Sequence, residues 1–552
     1  MTAMVRASSE SEFESETEAD AISASAASSV PAALSAPAPP SVLTGPSLAK
    51  DPSGPKDPSG PQGSSGSKSP SGPKGSAAPP GPAVPATPAG RTRPGARTWA
   101  VILAACAGQF LVVLDVSVVN VALPSMRADL GLSAPGLQWV LNAYAIAFAG
   151  FMLLGGRAAD LFGRKRTFLA GLAVFTLASA AGGFAQEGWQ LIAARAVQGL
   201  GAAVLAPATL TILTSAVPAG AARTRAIGTW SAVGAGGGAA GGLVGGLLTD
   251  LLSWRWVLLI NVPVGVLVLA GAAFWLTESR DAAGRRLDLP GAMLVTTGLA
   301  AVAYGIVQTE ERGWGQVVTL LPLLGGVLLL GVFVVVEARA REPLMPLGLF
   351  RIRAVSAANA ALFVCGTASF SMWFFMTVYA QNVLGYTPLE AGLALVPSSL
   401  SVVLGSKLAP RLMPRTGARA LAVTGTLVAA AGFGWQSTMT ADGTFLSVIL
   451  GPGILMMAGL GLATTPLAAL ATGSAAPGDA GLVSGLVNTS RTMGGALGLS
   501  VLSTVAASRT AGGTGPQALT EGYALAFRTG CGVLLGAVVL MVLWLPRASS
   551  DA

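Results

Sequence analysis

The chain has 552 residues, of which 52% are hydrophobic and only 11% are charged, and its mean hydropathy is +0.65. A soluble globular domain carries about 25% charged residues, so this composition excludes an ordinary soluble protein. The sequence contains no histidine, which excludes histidine catalysis, histidine metal ligands and a histidine proton relay. The three cysteines lie singly in apolar runs, as small buried hydrophobic residues do, and their spacing matches no metal site.

Residues 1–97 differ sharply in composition from the rest of the chain. They begin with an acidic run and continue as a tract rich in Ser, Pro, Gly and Ala, in which segment 51–56 is partly repeated from residue 57. Such a sequence has too little apolar surface to offset the entropy lost on ordering, so we expect a disordered cytoplasmic tail. Both a dispensable extension and a regulatory segment are consistent with it. No apolar segment precedes Trp99, so we expect no signal peptide.

Fourteen apolar runs follow the tail, each long enough to cross a bilayer as a helix at about 20 residues per crossing. They predict an all-α polytopic membrane protein with fourteen transmembrane helices. The predicted spans cover residues 98–123, 137–156, 167–186, 190–216, 225–249, 256–276, 289–308, 317–337, 355–380, 390–408, 419–438, 444–467, 480–506 and 522–545.

Positive charge is distributed unevenly between alternate loops. One set of loops and adjoining helix ends contains 21 Lys and Arg residues, and the opposite set contains 5. Because basic loops stay on the cytoplasmic side, this asymmetry predicts that both termini are cytoplasmic and that the protein resides in the plasma membrane. The tail has equal numbers of acidic and basic residues, so the net charge of +8 belongs to the membrane part. Short bursts of charge between apolar runs do not predict a nucleic-acid partner.

The loop between the second and third spans combines two glycines, an acid and a basic triplet. Its residues are Gly156, Asp160, Gly163, Arg164, Lys165 and Arg166. Glycine permits a tight turn, the acid can pair with a neighbouring helix end, and the basic residues favour the cytoplasmic face. A weak repeat of this pattern between Gly405 and Arg419 indicates two homologous halves. Positive-inside topology alone is the alternative explanation of the charges.

Few charged residues lie inside the spans, chiefly Asp115, Arg195 and Arg491. Asp115 is about seventeen residues into the first span, and Arg195 lies in the fourth, close to Gln198. A charge inside the membrane is costly, so each is a functional hypothesis. Asp115 could load and unload a proton, and Arg195 needs acceptors such as backbone carbonyls or a carboxylate. The competing interpretation is a structural ion pair, with Arg195 joining the first and fourth helices.

Small and polar residues in the spans indicate a sliding contact and a cavity. The glycine-rich fifth span would let helix backbones touch, through Gly237, Gly241, Gly242, Gly245 and Gly246. Polar and aromatic residues predict a weakly polar pocket, although each alone is equally consistent with helix packing or interfacial anchoring. The cavity candidates are Asn120, Asn142, Tyr144, Phe148, Gln198, Phe370, Trp373, Asn488 and Arg491.

Several of these motifs resemble those of a known transporter family. The loop from Gly156 to Arg166 matches the G-x-x-x-D-x-x-G-R-K/R signature of the major facilitator superfamily. The run from Leu114 to Pro124 is similar to the first-helix motif of its fourteen-helix drug:proton antiporter family. In that family the loop acts as a latch, and an arginine such as Arg195 is implicated in proton transfer. The family places Gly-Pro where this chain has Gly241-Gly242, so the proline kink is missing.

The resemblance covers about residues 98–545 and implies a domain organisation. It places a six-helix bundle at 98–276, two additional helices with their loops at 277–354, and a second six-helix bundle at 355–545. Residues 546–552 would form a cytoplasmic C-terminus.

The function implied by the resemblance is proton-coupled export of amphipathic or lipophilic organic compounds, such as drugs or antibiotics, by alternating access. Asp115 would carry the proton, Arg195 would tune it, and the loop would close the cytoplasmic gate. With one carboxylate inside the spans, a neutral or singly charged substrate fits better than a dication. Export of a metabolite, peptide or siderophore by the same mechanism is the alternative.

Other functional classes are disfavoured by what the sequence lacks. No P-loop occurs, so we expect no ATP-driven export within this chain. No catalytic constellation occurs in the spans, so a membrane enzyme is a remote alternative, as is a scaffold without transport activity. We therefore expect a transporter that works as a monomer in the bilayer, with protons and a small lipophilic substrate as partners and no cofactor or metal.

Overall fold

The structure is a computed structural model, and it describes residues 96–217, 221–279, 288–340, 343–475, 479–510, 513 and 515–546. The predicted tail lies outside the described residues up to position 95, and the C-terminus does so from position 547. Four loop arginines used to predict the topology also lie outside them, namely Arg280, Arg285, Arg286 and Arg341.

The first six predicted spans are helical, and the sixth is divided at Ile260. Their ends follow local chemistry: Gly131 takes a φ of +59° after the first helix, and the Ser133 side chain caps the second. The helices are α1 Ala96–Leu130, α2 Ala134–Phe162, α3 Arg164–Gly183, α4 Gly188–Ala216, α5 Ala221–Leu251, α6 Arg255–Leu259 and α7 Asn261–Trp275.

The next two spans form an antiparallel pair, α8 Leu289–Arg312 and α9 Val317–Arg339, joined by a turn in which Gly313 has a φ of +79°. Asp288 caps α8 by accepting a hydrogen bond from the backbone N–H of Gly291. The two helices pack along each other, and α8 also contacts α2. One face of α9 is strongly apolar and exposed, as expected for a helix that borders lipid.

The remaining six spans form the second bundle. A 3₁₀ turn, Leu347–Arg351, precedes it, and a π-helical turn, Phe445–Leu450, leads into its fourth span. The helices are α10 Arg353–Asn382, α11 Pro388–Ala394, α12 Val396–Thr416, α13 Ala418–Gln436, α14 Gly451–Gly473, α15 Ala480–Thr510 and α16 Pro516–Trp544, with α11 and α12 making one span.

Thirteen helical spans in the described part of the chain are long and apolar enough to cross a membrane. The predicted span that is not among these thirteen, residues 480–506, corresponds to α15, which is 31 residues long but contains polar residues such as Asn488 and Arg491. Its own sequence is less apolar than that of the other spans, but it packs against the apolar helices α10 and α16. The predicted all-α polytopic fold is confirmed.

The two bundles meet along a few helices. In the first, α1 packs on α5 and α2 packs on α4; in the second, α10 packs on α15 and α13 on α14. Between them, α2 and α8 contact α15, and α5 contacts α11. Gln381 donates a hydrogen bond to the Val121 carbonyl at 2.8 Å, and the Leu389 N–H donates to Asp250 at 3.0 Å. These bonds join the bundles where α1 and α5 end.

Candidate transport site and gating loop

Asp115 and Arg195 form an ion pair in the interior of the first bundle. The Arg195 guanidinium lies 2.6 Å from Asp115 Oδ2, and the two side chains are 1% and 0% exposed. The residues are eighty positions apart, and the packing of α1 on α4 brings them together. Because both charges are withdrawn from water, the pair is stable only with further hydrogen bonds.

Those hydrogen bonds come from α2, from α7 and from α4 itself. Arg195 donates to the Val140 carbonyl on α2 at 3.2 Å and to Gln198 Oε1 at 2.6 Å. Its guanidinium also lies over the Tyr144 ring, 4.4 Å from the centroid. Gln198 in turn donates to Asp115 Oδ1 at 2.8 Å. Both predicted proton-coupling residues and two cavity candidates, Gln198 and Tyr144, therefore belong to one buried cluster.

Two members of this cluster were not among the sequence-predicted site residues. Asn261 at the start of α7 donates to Asp115 Oδ1 at 3.0 Å and to Ser179 Oγ at 3.1 Å. Ser179 on α3 accepts a second bond from Gln198 and donates to the Leu258 carbonyl. Asn261 stands in an Asn-Val-Pro sequence at the point where the sixth span divides, so the sequence could have indicated it as a site residue. A lone serine in an apolar helix, such as Ser179, gives no such indication.

The loop between α2 and α3 is organised around Gly163 and Glu278. Gly163 has a φ of +101°, which favours glycine, and a Cβ there would overlap the Glu278 carboxylate. That carboxylate accepts the backbone N–H groups of Lys165 and Arg166, both at 3.2 Å, at the positive end of α3. Arg166 adds a partly exposed ion pair with Glu278 at 3.7 Å. Glu278 was missed because no sequence spacing links it to the loop.

Other residues of the loop reach different neighbours. Lys165 Nζ donates to the Ala273 carbonyl on α7 at 2.7 Å, and the Arg164 N–H donates to the Ser279 carbonyl at 3.0 Å. Arg157 donates to the Pro343 carbonyl, in the segment that leads to α10. Gly156 faces Pro207 on α4 with room to spare, and the side chain of Asp160 lies outside the described residues. The loop thus contacts both its own bundle and the approach to the second.

The corresponding loop of the second bundle has the same backbone form. Gly417 separates α12 from α13 with a φ of +79° and a ψ of 147°, where Gly163 has 101° and 141°. Each glycine ends one helix and begins the next. The weak internal repeat read from the sequence is therefore a repeat of backbone geometry.

The glycines of α5 face two different helices. Gly237, Gly241 and Gly245 lie against α1, and a Cβ at Gly245 would come within 2.8 Å of the Val118 carbonyl oxygen. Gly242 and Gly246 lie against α11 of the second bundle. Gly242 approaches the Gly392 backbone, and α5 runs through it as an unbroken helix. This helix is packed backbone to backbone on both sides.

The remaining cavity candidates are distributed over both bundles. Asn142 is fully buried and donates to Ser500 on α15 at 2.8 Å, so it joins the bundles. Asn120 donates to the Val116 carbonyl within its own helix, and Phe148 stacks on Tyr144. The partly buried members are Phe370, Trp373 and Asn488, and Arg491 is exposed.

An all-helical, multi-pass protein made of two bundles, with a buried charge cluster inside one of them, has the architecture of a membrane transporter. The chain belongs to the Major Facilitator Superfamily, whose model matches residues 105–499. It is a multi-pass membrane transporter and not an enzyme. The family predicted from the sequence motifs is confirmed.

Antibiotic exporters are among the similar sequences. The chain is 48% identical over 453 residues to the cephamycin export protein of Amycolatopsis lactamdurans, covering 81% of this chain and 92% of that one. It is 40% identical over 456 residues to the puromycin resistance protein of Streptomyces alboniger, covering 80% and 90%.

Solved structures show the same fold at low identity. A proton-dependent oligopeptide transporter family member, PepTSo, superimposes with a TM-score of 0.60 at 15% identity, covering 81% of this chain and 97% of that one. A bacterial homologue of the lysosomal transporter Spinster, in an inward-facing conformation, gives 0.57 at 17% identity, covering 82% and 96%.

Proposed function

We propose that this protein exports amphipathic organic compounds of the antibiotic type, driven by proton entry through Asp115. The single observation that supports coupling is the closed cluster around the Asp115–Arg195 pair, which draws hydrogen bonds from five helices. The export and resistance proteins that share 40–48% identity support the substrate class.

A proton on Asp115 would change the forces that hold this cluster. The charge-assisted bond to Arg195 depends on the negative carboxylate, and such bonds are about twice as strong as neutral ones. Protonation would leave the Arg195 guanidinium without its counter-charge, in surroundings where an unpaired cation is costly. The favoured response is a movement of α4 relative to α1, which is the kind of motion that alternating access requires.

The gating role belongs to the loop at Gly163. Glu278 fixes the start of α3, while Arg157 reaches the segment before α10. A shift of α2 and α3 would therefore move the segment that leads into α10. The α5 glycines, packed against both α1 and α11, would let that contact slide.

The decisive experiment uses Asp115→Asn in inside-out vesicles with puromycin as the test compound. We expect the variant to lose uptake driven by a proton gradient and to retain exchange of labelled for unlabelled compound at equal pH. The matched control is Asp129→Asn, because Asp129 lies in the same helix but pairs with Arg255 at its partly exposed end. Full gradient-driven uptake by Asp115→Asn would remove the coupling role. Equal loss of uptake and exchange would assign the pair to structure alone.

A further inference from the structure

Two of the arginines inside the helices, Arg195 and Arg491, are in opposite states. Arg195 is 1% exposed and is fully engaged by an acid, an amide, a carbonyl and an aromatic ring. Arg491 is exposed, and no hydrogen bond or ion pair joins its guanidinium to any residue in the described part of the chain. An arginine is therefore paired and buried in the first bundle, whereas another arginine is exposed and without a described partner in the second.

The position of Arg491 along its helix makes this openness costly. It is the twelfth of 31 residues in α15, which is about 17 Å from the start of the helix at 1.5 Å per residue. An arginine at such depth normally pairs with an acid or with backbone carbonyls.

The surrounding residues hold Arg491 firmly and form a polar stripe with it. A Cβ at Gly366 of α10 would overlap the Arg491 carbonyl oxygen, so the two backbones are in contact. Ser490 also donates to Asn359 on α10 at 3.0 Å. Ser484, Asn488 and Arg491 share one face at helical spacing, and the Asn488 amide makes only a 3.5 Å contact with the Ser484 carbonyl.

We infer that Arg491 is a substrate-binding residue that recognises a single oxyanionic group, so that the exported compounds include amphipathic monoanions. A guanidinium offers a planar fork of donors that matches the oxygens of a carboxylate or sulfonate. The anion would supply the counter-charge that the protein leaves out, and the apolar part of the compound would lie against the surrounding helices. This inference rests on the proposed export function and assigns to it one class of substrate in particular, amphipathic compounds with one negative charge.

The test compares two fluorescent probes that share a ring system. Anilinonaphthalene sulfonate carries one negative charge, and N-phenylnaphthylamine lacks the sulfonate. Saturable binding of each is measured on the purified full-length protein without a proton gradient, so the result does not depend on Asp115. For Arg491→Gln we expect the sulfonate to bind at least about tenfold more weakly, because a charge-assisted hydrogen bond contributes about 1.5–3 kcal/mol. Binding of the neutral probe should be unchanged.

Two further variants separate recognition from structure. Arg491→Lys keeps the charge but not the planar fork, so we expect intermediate sulfonate binding. Arg509→Gln removes an arginine from the same helix at its exposed end, where it pairs with Glu521 at 3.1 Å, and should bind both probes as the wild type does. Equal weakening of both probes by Arg491→Gln would mean a structural role and would overturn the inference. If that variant does not fold, the wild type decides, because failure to prefer the sulfonate overturns the inference by itself.

Two outcomes distinguish this inference from the proposed function and from lipid binding. If vesicles show no gradient-driven transport while the sulfonate preference persists, export by proton coupling fails and the anion site stands. If both probes are exported equally and Arg491→Gln changes neither, export stands and the anion site fails. Binding is also measured in phosphatidylcholine with and without phosphatidylglycerol. Loss of sulfonate binding on adding the anionic lipid would assign Arg491 to a lipid phosphate and overturn the inference.

Discussion

At the scale of single residues, the role of a charged side chain inside this protein depends on the hydrogen-bond partners around it more than on its residue type. Asp115 has three donors to its two oxygens, all within 3.0 Å, whereas Arg491 has no described acceptor. Glu278 shows the same principle at the loop, since its carboxylate replaces the missing partners of two N–H groups at the start of α3.

A substitution at Gly163 tests the loop at this scale. Gly163→Ala places a side chain in a conformation that costs about 1–3 kcal/mol for a residue other than glycine. It also displaces the Glu278 carboxylate, which a Cβ would overlap. We expect a lower melting temperature in detergent and slower export.

Gly417→Ala is the matched control for that prediction. It has nearly the same backbone angles, but a Cβ there would meet nothing within 4 Å. Only backbone strain should therefore destabilise the Gly417→Ala protein, and its melting temperature should be higher than that of Gly163→Ala. Equal melting temperatures would mean that the Glu278 contact contributes nothing to stability.

At the scale of elements, α5 connects the two bundles through glycines on different faces. Gly241 and Gly245 touch α1, and one residue further on, Gly242 and Gly246 touch α11. A helix can slide against two neighbours only if small residues line both contacts. Glycine at position 242 preserves this close approach where the family has proline, and it leaves the helix unkinked.

Gly246→Ala tests the contact with α11. Its Cβ would lie 2.6 Å from the Leu389 Cα and 2.7 Å from the Pro388 carbonyl oxygen, and backbone atoms cannot move aside cheaply. We expect the initial rate of export to fall several-fold while the protein still reaches the membrane. Gly236→Ala, in the same helix, meets nothing within 4 Å and should export at the wild-type rate. Equal rates for the two variants would contradict a tight α5–α11 contact during transport.

At the scale of the whole molecule, charge asymmetry between loops predicts an orientation in the membrane. Fourteen crossings require both termini on one side, and the basic loops assign that side to the cytoplasm. When α15 is added to the thirteen described spans that are long and apolar enough by themselves, the helices give an even number of crossings.

Labelling of single cysteines tests this orientation. The three native cysteines are first replaced by alanine, and Gly315→Cys, in the turn between α8 and α9, or Ser549→Cys is then introduced. A membrane-impermeant maleimide should label position 315 in intact cells and position 549 only after permeabilisation. The reverse pattern would invert the topology, and labelling of both positions in intact cells would contradict the odd number of crossings, α9 to α16, that separates position 315 from position 549.

The amino-acid sequence by itself determined the helical membrane class, the approximate position of the spans, and the family. These depend on hydropathy over about 20 residues and on short motifs, which are local properties. It also singled out Asp115 and Arg195, because charges in apolar runs are conspicuous. It did not reveal Glu278 or Ser179. Glu278 binds Lys165, 113 positions away in the sequence, and Ser179 on α3 binds Gln198 on the next helix, α4.

Only the tertiary structure decided which charges are satisfied. Asp115 and Arg195 meet because α1 packs on α4, whereas no acid among the described residues pairs with Arg491. Both arginines are charges inside predicted spans, so the sequence by itself does not show which of them is paired. Pairing is a property of three-dimensional distance, and the cost of an unpaired charge is set by the helices around it.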